Sequence, residues 1–237
     1  MDDVVILCGG MGTRLKEETE ARPKPMVEIG GKPILWHIMK YYAAYGFKRF
    51  VLALGYKASY IAGYFDGKTH EDWEVRCVDT GLSTLKGGRI KRVEPYITSG
   101  HFHLTYGDGL STVDLGRLSA FHRVRNKVGT VTAVRPPSRF GELLLRGSVV
   151  REFEEKPQLT AGRINGGYFV FNRKLFEYLT PDEHCDLEFG ALQRLAREGE
   201  LVAYKHEGYW QCMDNVRDME YLNKVWSEGN PPWKVWR

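Results

Sequence analysis

Apolar residues fall in short unbroken runs closed by glycine, separated by stretches with helical spacing. Residues 4–8 are continuously apolar and end at Gly9-Gly10, which predicts a strand buried on both faces. Residues 50–54 repeat that character, and residues 101–106 predict another strand, which stops at Gly107-Asp108-Gly109. Between the first two of these runs, Leu35, Ile38, Met39 and Tyr42 recur at helical spacing. Pro33 opens that helix, where its missing N–H costs nothing. Residues 59–65 predict a helix and 73–78 alternate like a strand. Asp114 is placed to cap a helix bearing Leu115, Leu118 and Phe121. Strands alternating with helices predict a Rossmann-like α/β fold, its mostly parallel sheet covered on both faces.

From about residue 128 the pattern changes. Residues 128–134, 143–145, 149–153 and 168–171 are strand-like with few helical stretches between, and helices return at 187–197 and 216–226. One domain over 1–237 is expected, with an α/β part over about 1–127 and a more β-rich part over about 128–237 that builds a lid or a substrate wall.

Composition narrows the function classes. Apolar residues make up 43% and charged ones 27%, as in an ordinary globular chain. Thirty-four basic against 30 acidic residues leave a net charge of +4, with no dense basic run, so small anionic ligands are expected and nucleic acid is not. Cys8, Cys77, Cys185 and Cys212 form no C-x-x-C pair, which fits a reduced, cytoplasmic chain. No apolar stretch has the length of a signal h-region or a membrane span, so no membrane association is expected.

The densest chemistry lies between Gly9 and Lys24. Glycines after a buried strand let backbone N–H groups approach and cradle phosphate oxygens, and Arg14 and Lys24 add positive charge. The dinucleotide fingerprint fails because Leu15 stands where its third glycine belongs. The P-loop fails because Ala62 stands where the glycine ahead of Gly67-Lys68-Thr69 is required. Asp108, at a strand end, and Asp214, after the aromatic stretch 209–213, could together hold Mg²⁺. Taken singly, Asp108 is a turn residue and Asp214 a helix cap. Lys156, fixed in extended geometry by Pro157, is either a phosphate grip or a charged strand end. Asn165 is either a hydroxyl contact or a turn residue. His101 and His103 share one strand face without a third ligand and read as packing residues, as does His37, expected to be partly buried. The aromatic tail 232–236 docks either on the body or on a neighbouring subunit.

Several motifs together resemble the sugar-phosphate nucleotidyltransferase family, in particular its cytidylyltransferase branch, over nearly the whole chain. They include Leu7-Cys8-Gly9-Gly10-Met11-Gly12-Thr13-Arg14-Leu15, Lys24-Pro25-Met26, Gly87-Gly88-Arg89, Thr105-Tyr106-Gly107-Asp108-Gly109, Arg139-Phe140-Gly141, Glu155-Lys156-Pro157 and Asn165-Gly166-Gly167. The resemblance implies CTP and a sugar 1-phosphate, glucose 1-phosphate in that branch, as substrates, Mg²⁺ as cofactor and a homo-oligomer. It implies a nucleotide site at Leu7, Gly9, Gly10, Gly12, Thr13, Arg14, Lys24, Arg89, Gly107 and Asp108, with Arg14, Lys24 and Asp108 catalytic. It further implies sugar-phosphate contacts at Gly141, Glu155, Lys156 and Asn165, and a metal held by Asp108 and Asp214. Cys8 replaces the alanine usual before the glycine pair, residues 142–145 depart from the usual sequence, and the segment 58–78 is shorter than in that branch. UTP, dTTP or a heptose phosphate therefore stand as alternatives, as does a non-catalytic sensing subunit.

Overall fold

The computed structural model describes residues 2–66, 71–136, 142–146, 148–154 and 162–236. In chain order it runs β1 (Asp3–Cys8), α1 (Lys16–Thr19), β2 (Glu28–Ile29), β3 (Lys32–Pro33), α2 (Ile34–Ala44), β4 (Arg49–Leu54), α3 (Ala58–Phe65), β5 (Glu74–Asp79), α4 (Lys86–Val93), β6 (His101–Tyr106), β7 (Gly109–Ser111) and α5 (Leu115–Arg125). It continues with β8 (Gly129–Val134), β9 (Glu142–Arg146), β10 (Val149–Glu154), β11 (Ile164–Asn172), a π-turn (Leu187–Leu192), α6 (Gln193–Arg197), β12 (Leu201–His206), β13 (Trp210–Cys212) and α7 (Val216–Ser227).

One sheet organises the chain, in the order β12-β8-β11-β6-β1-β4-β5. β11 is antiparallel to both of its neighbours, and every other pairing in the sheet is parallel. Strands from both halves of the chain share this sheet. β1 is fully buried because its alternate side chains enter different cores. Val4, Ile6 and Cys8 join the core under α2, α3 and α7, whereas Val5 and Leu7 join the one under α4 and the π-turn. A strand buried on both faces must be continuously apolar, and the run 4–8 is.

Several elements escape the sequence pattern, α4 and β12 the longest of them. α4 carries two glycines in its first turn, after Lys86, and they lower helix propensity. The structure supplies the reason: a Cβ on Gly88 would stand 2.3 Å from the Asp182 carbonyl, and one on Gly87 would stand 2.8 Å from that of Cys185. Close packing against residues 182–186 thus replaces intrinsic propensity. β12 is an edge strand of mixed burial whose polar positions blur its period. Pro33 proves to be the residue before α2, in extended geometry, rather than its first turn.

The aromatic tail docks on the body. Trp233 is fully buried, stacked near Trp226 and Tyr209 with centroids 6.4 and 5.8 Å away, and its indole N–H reaches His37 Nδ1 at 3.5 Å. His37 is wholly buried rather than partly so. No helix among the described residues is long and apolar enough to cross a membrane.

Candidate active site

The carboxyl ends of β1, β4, β5 and β6 open on one edge of the sheet, where β1 is flanked by β4 on one side and β6 on the other. In open α/β sheets this reversal of strand order leaves the crevice where ligands bind. The loop after β1 carries Gly9, buried, then Gly10, Gly12 and Thr13, exposed or half-exposed. Leu7 is the last-but-one residue of β1, and its carbonyl accepts from Gly107 N at 3.1 Å, tying the start of the glycine loop to the end of β6.

A charged cluster stands in front of this loop. Lys24 lies in a short turn begun by Pro23, and its ammonium donates to Asp108 Oδ2 at 2.7 Å and to Asp214 Oδ1 at 3.0 Å. Arg14 Nη1 donates to the other Asp214 oxygen at 3.1 Å, with its own side chain 71% exposed and so open to an anionic ligand. Burial alone pulls the Lys24 ammonium down, but Asp108 and Asp214 outweigh it and hold its pKa above the ordinary value. For Asp214 burial pushes up, and the Lys24 hydrogen bond and charge, helped by Arg14, bring the carboxyl below its usual range. Both groups are therefore ionised at neutral pH.

The two acids are far apart in sequence, and a small ribbon joins them. β13 pairs antiparallel with β7, Cys212 facing Gly109, and Met213 N donates to the Asp108 carbonyl at 2.8 Å. Asp214 does not cap α7. Asn215 does, accepting from Asp218 N at 3.1 Å, while Asp218 returns a carboxylate oxygen to Asn215 N and to Asp214 N. With the cap filled by its neighbour, the Asp214 side chain faces Lys24. Asp108 and Asp214 thus present two carboxylates to one cation, an all-oxygen donor set that fits a hard divalent ion with waters and phosphate as remaining ligands. Among the described residues no group of three or more metal-ligating side chains occurs, His101 and His103 included.

Residues 3–224 match the nucleotidyl transferase family. The chain belongs to that family. It is 45% identical to glucose-1-phosphate cytidylyltransferase of Salmonella typhimurium over 254 aligned positions, covering 98% of each chain. It is 29% identical to D-glycero-alpha-D-manno-heptose 1-phosphate guanylyltransferase of Aneurinibacillus thermoaerophilus, covering 88% of this chain and 91% of that one. Among solved structures it is similar to HddC from Yersinia pseudotuberculosis complexed with GMP-PN, at 28% identity and a TM-score of 0.74, over 95% of this chain and 100% of that one.

Within this nucleotidyl transferase fold the remaining expected site residues separate. Arg89 lies beneath the loop with its guanidinium turned to the protein's own backbone, bonded to the carbonyls of Gly9, Leu54, Gly81 and Leu82 and to the Thr80 hydroxyl. Its planar fork fits because Gly9 and Gly55 lack a Cβ, which would meet it at 2.2 and 2.4 Å. Asn165, at the start of β11, accepts from Gly167 N at 2.8 Å and donates Nδ2 to the Tyr106 hydroxyl at 3.1 Å. Gly141, Glu155 and Lys156 lie outside the described residues. Sequence reading passed over Tyr106 and Glu188. Tyr106 stands two residues before Asp108 in a motif already singled out, and a tyrosine at the open end of a buried strand was the available signal. Glu188 had none, because only the fold brings it to β6.

Proposed function

We propose that the protein transfers the cytidylyl group of CTP to glucose 1-phosphate, giving CDP-glucose and pyrophosphate. The observation that carries this reading is the bridge of Lys24 between Asp108 and Asp214 in front of the glycine loop, in a chain 45% identical to a protein of that name. A sugar-sensing subunit without catalysis has no need of both acids and both cations, and all four side chains converge here.

A phosphate oxygen of the sugar 1-phosphate forms the new bond to the α-phosphorus of the triphosphate. The bond to the oxygen bridging toward the β-phosphorus breaks, and its electron pair leaves with pyrophosphate. The nucleophile is already anionic, so no general base is required. Positioning and electrostatics do the work, as in other phosphoryl-type transfers. The N–H groups from Gly9 to Thr13 cradle the triphosphate, and Arg14 and Lys24 offset the charge that develops on the departing pyrophosphate. Asp108 and Asp214 would hold Mg²⁺, which when bound neutralises charge around the transferring phosphate. Gly141, Glu155, Lys156 and Asn165 are proposed, by resemblance, to grip the sugar phosphate. With CTP as donor the reaction belongs in the cytoplasm. A homo-oligomer goes with the same reading and is measured by light scattering on the purified protein.

Incubation with Mg²⁺, glucose 1-phosphate and each of CTP, UTP, dTTP, ATP and GTP, following pyrophosphate and nucleotide-sugar, tests the proposal. Product with CTP supports it, and product with GTP or another base alone overturns the cytidylyl assignment while keeping the reaction class. Lys24→Ala should lower kcat about a hundredfold or more, the usual effect of removing a cation or donor aimed at transition-state charge. Near-normal turnover in that variant would remove Lys24 from the chemistry.

A further inference from the structure

A directed chain of hydrogen bonds runs beside the acid pair, on the β11 side of the crevice. The Asn165 amide is oriented, because its oxygen accepts from Gly167 N at 2.8 Å, so its nitrogen donates to the Tyr106 hydroxyl at 3.1 Å. The Tyr106 proton must then go to Glu188 Oε1, 2.8 Å away. The Lys86 ammonium donates to that same carboxylate oxygen and also lies over the Tyr106 ring, 4.9 Å from its centroid. Glu188 is the second residue of the π-turn Leu187–Leu192, a geometry that recurs at functional sites.

The chain leaves a matched set of groups. Both bonds to Glu188 fall on Oε1, so among the described residues Oε2 keeps its acceptor sites. Asn165 keeps its second amide N–H. One hydroxyl oxygen ties both side chains within reach of each other, at the end of the strand that leads into Asp108. A fixed carboxylate oxygen beside a fixed amide donor suits vicinal hydroxyls, each of which both donates and accepts.

We propose that Glu188, held by Tyr106 and Lys86, is a specificity-determining residue of the acceptor subsite and, with Asn165, reads neighbouring hydroxyls of the sugar 1-phosphate. The inference rests on the proposed sugar-phosphate transfer. A site built to hydrogen-bond a hydroxyl discriminates strongly against an analogue that misplaces it, because its buried polar groups are left unpaired.

The test is steady-state kinetics of the wild type, Glu188→Gln and Tyr106→Phe. Both substrates are varied, with glucose 1-phosphate and its epimers galactose 1-phosphate and mannose 1-phosphate as acceptors. Glu188→Gln keeps the shape and removes one acceptor. Tyr106→Phe removes only the hydroxyl, and thermal melting establishes that each variant is folded. The expected result is a KM for the preferred sugar 1-phosphate raised about tenfold or more, a KM for CTP within about twofold of wild type, and a smaller preference among epimers. Equal rises in both KM values, or an unchanged sugar KM and epimer preference, overturn the inference and leave the transfer reaction standing. Absence of product from the wild type with every acceptor and base overturns both.

Discussion

Arg89 carries a permanent charge into a position only 5% exposed and meets five oxygen acceptors there. Those acceptors come from the last residue of β4 and from the loops after β1 and β5, so one side chain sets the spacing of three strand ends. Lysine carries the same charge but offers a single ammonium, which cannot copy the fork. Arg89→Lys should therefore cost about 3 kcal/mol, the scale of losing charged hydrogen bonds and stranding buried carbonyls. It should also raise the KM for CTP, because Gly9 opens the glycine loop proposed to cradle the triphosphate. A variant with wild-type urea midpoint and CTP KM would refute this positioning role. The motif Gly87-Gly88-Arg89 was visible in the sequence, but the direction in which Arg89 points was not. Direction depends on Gly9 and Gly55 leaving room, which is a property of three segments brought together.

At the scale of elements, the ribbon of β7 and β13 and the start of α7 place Asp214. Asp218 accepts from the backbone of both Asp214 and Asn215, and Asn215 returns the bond to Asp218 N, closing a capping box. Asn215→Ala should cost about 1 kcal/mol, the usual value of an N-cap. Because the same turn aims Asp214 at Lys24, the variant should also need more Mg²⁺ for half-maximal rate. A melting curve and a Mg²⁺ titration check both, and wild-type behaviour in each would show that the ribbon alone fixes Asp214. Strands such as β1 and β4 were legible because burial on both faces demands continuous apolar runs. The acid pair was legible only as two separate residues, since the three-residue strands that unite them carry too little pattern to read. Glu188 illustrates the limit: a π-turn and a contact 82 positions away leave no periodic trace.

At the scale of the whole molecule, three histidines are folded into the cores as neutral rings. Burial lowers His37 to about 4 and His122 to about 4. It lowers His103 to about 3, with His122 and Arg123 adding to the effect. His103 Nε2 lies 2.8 Å from Ser119 Oγ, whose own proton goes to the Leu115 carbonyl, so Nε2 carries the hydrogen. The other nitrogen, Nδ1, is buried without a partner among the described residues. Protonating that ring would set a second cation near Arg123, His101 and His122 in an apolar wall. The folded pKa values lie below the ordinary 6.5, so the unfolded chain binds protons first as pH falls. The stability these rings contribute is full above pH 6.5, declines below it and levels off between about pH 4 and 3. Each histidine accounts for up to about 1.4 kcal/mol per pH unit in that window. Urea melts from pH 7.5 to 5.0 should therefore show stability dropping steeply below pH 6.5. His103→Gln separates this from carboxylate effects, because the glutamine amide can keep donating to Ser119 and does not titrate. Its pH profile should be shallower than wild type by one histidine's share, and a profile parallel to wild type would mean that His103 takes up its proton without unfolding the chain.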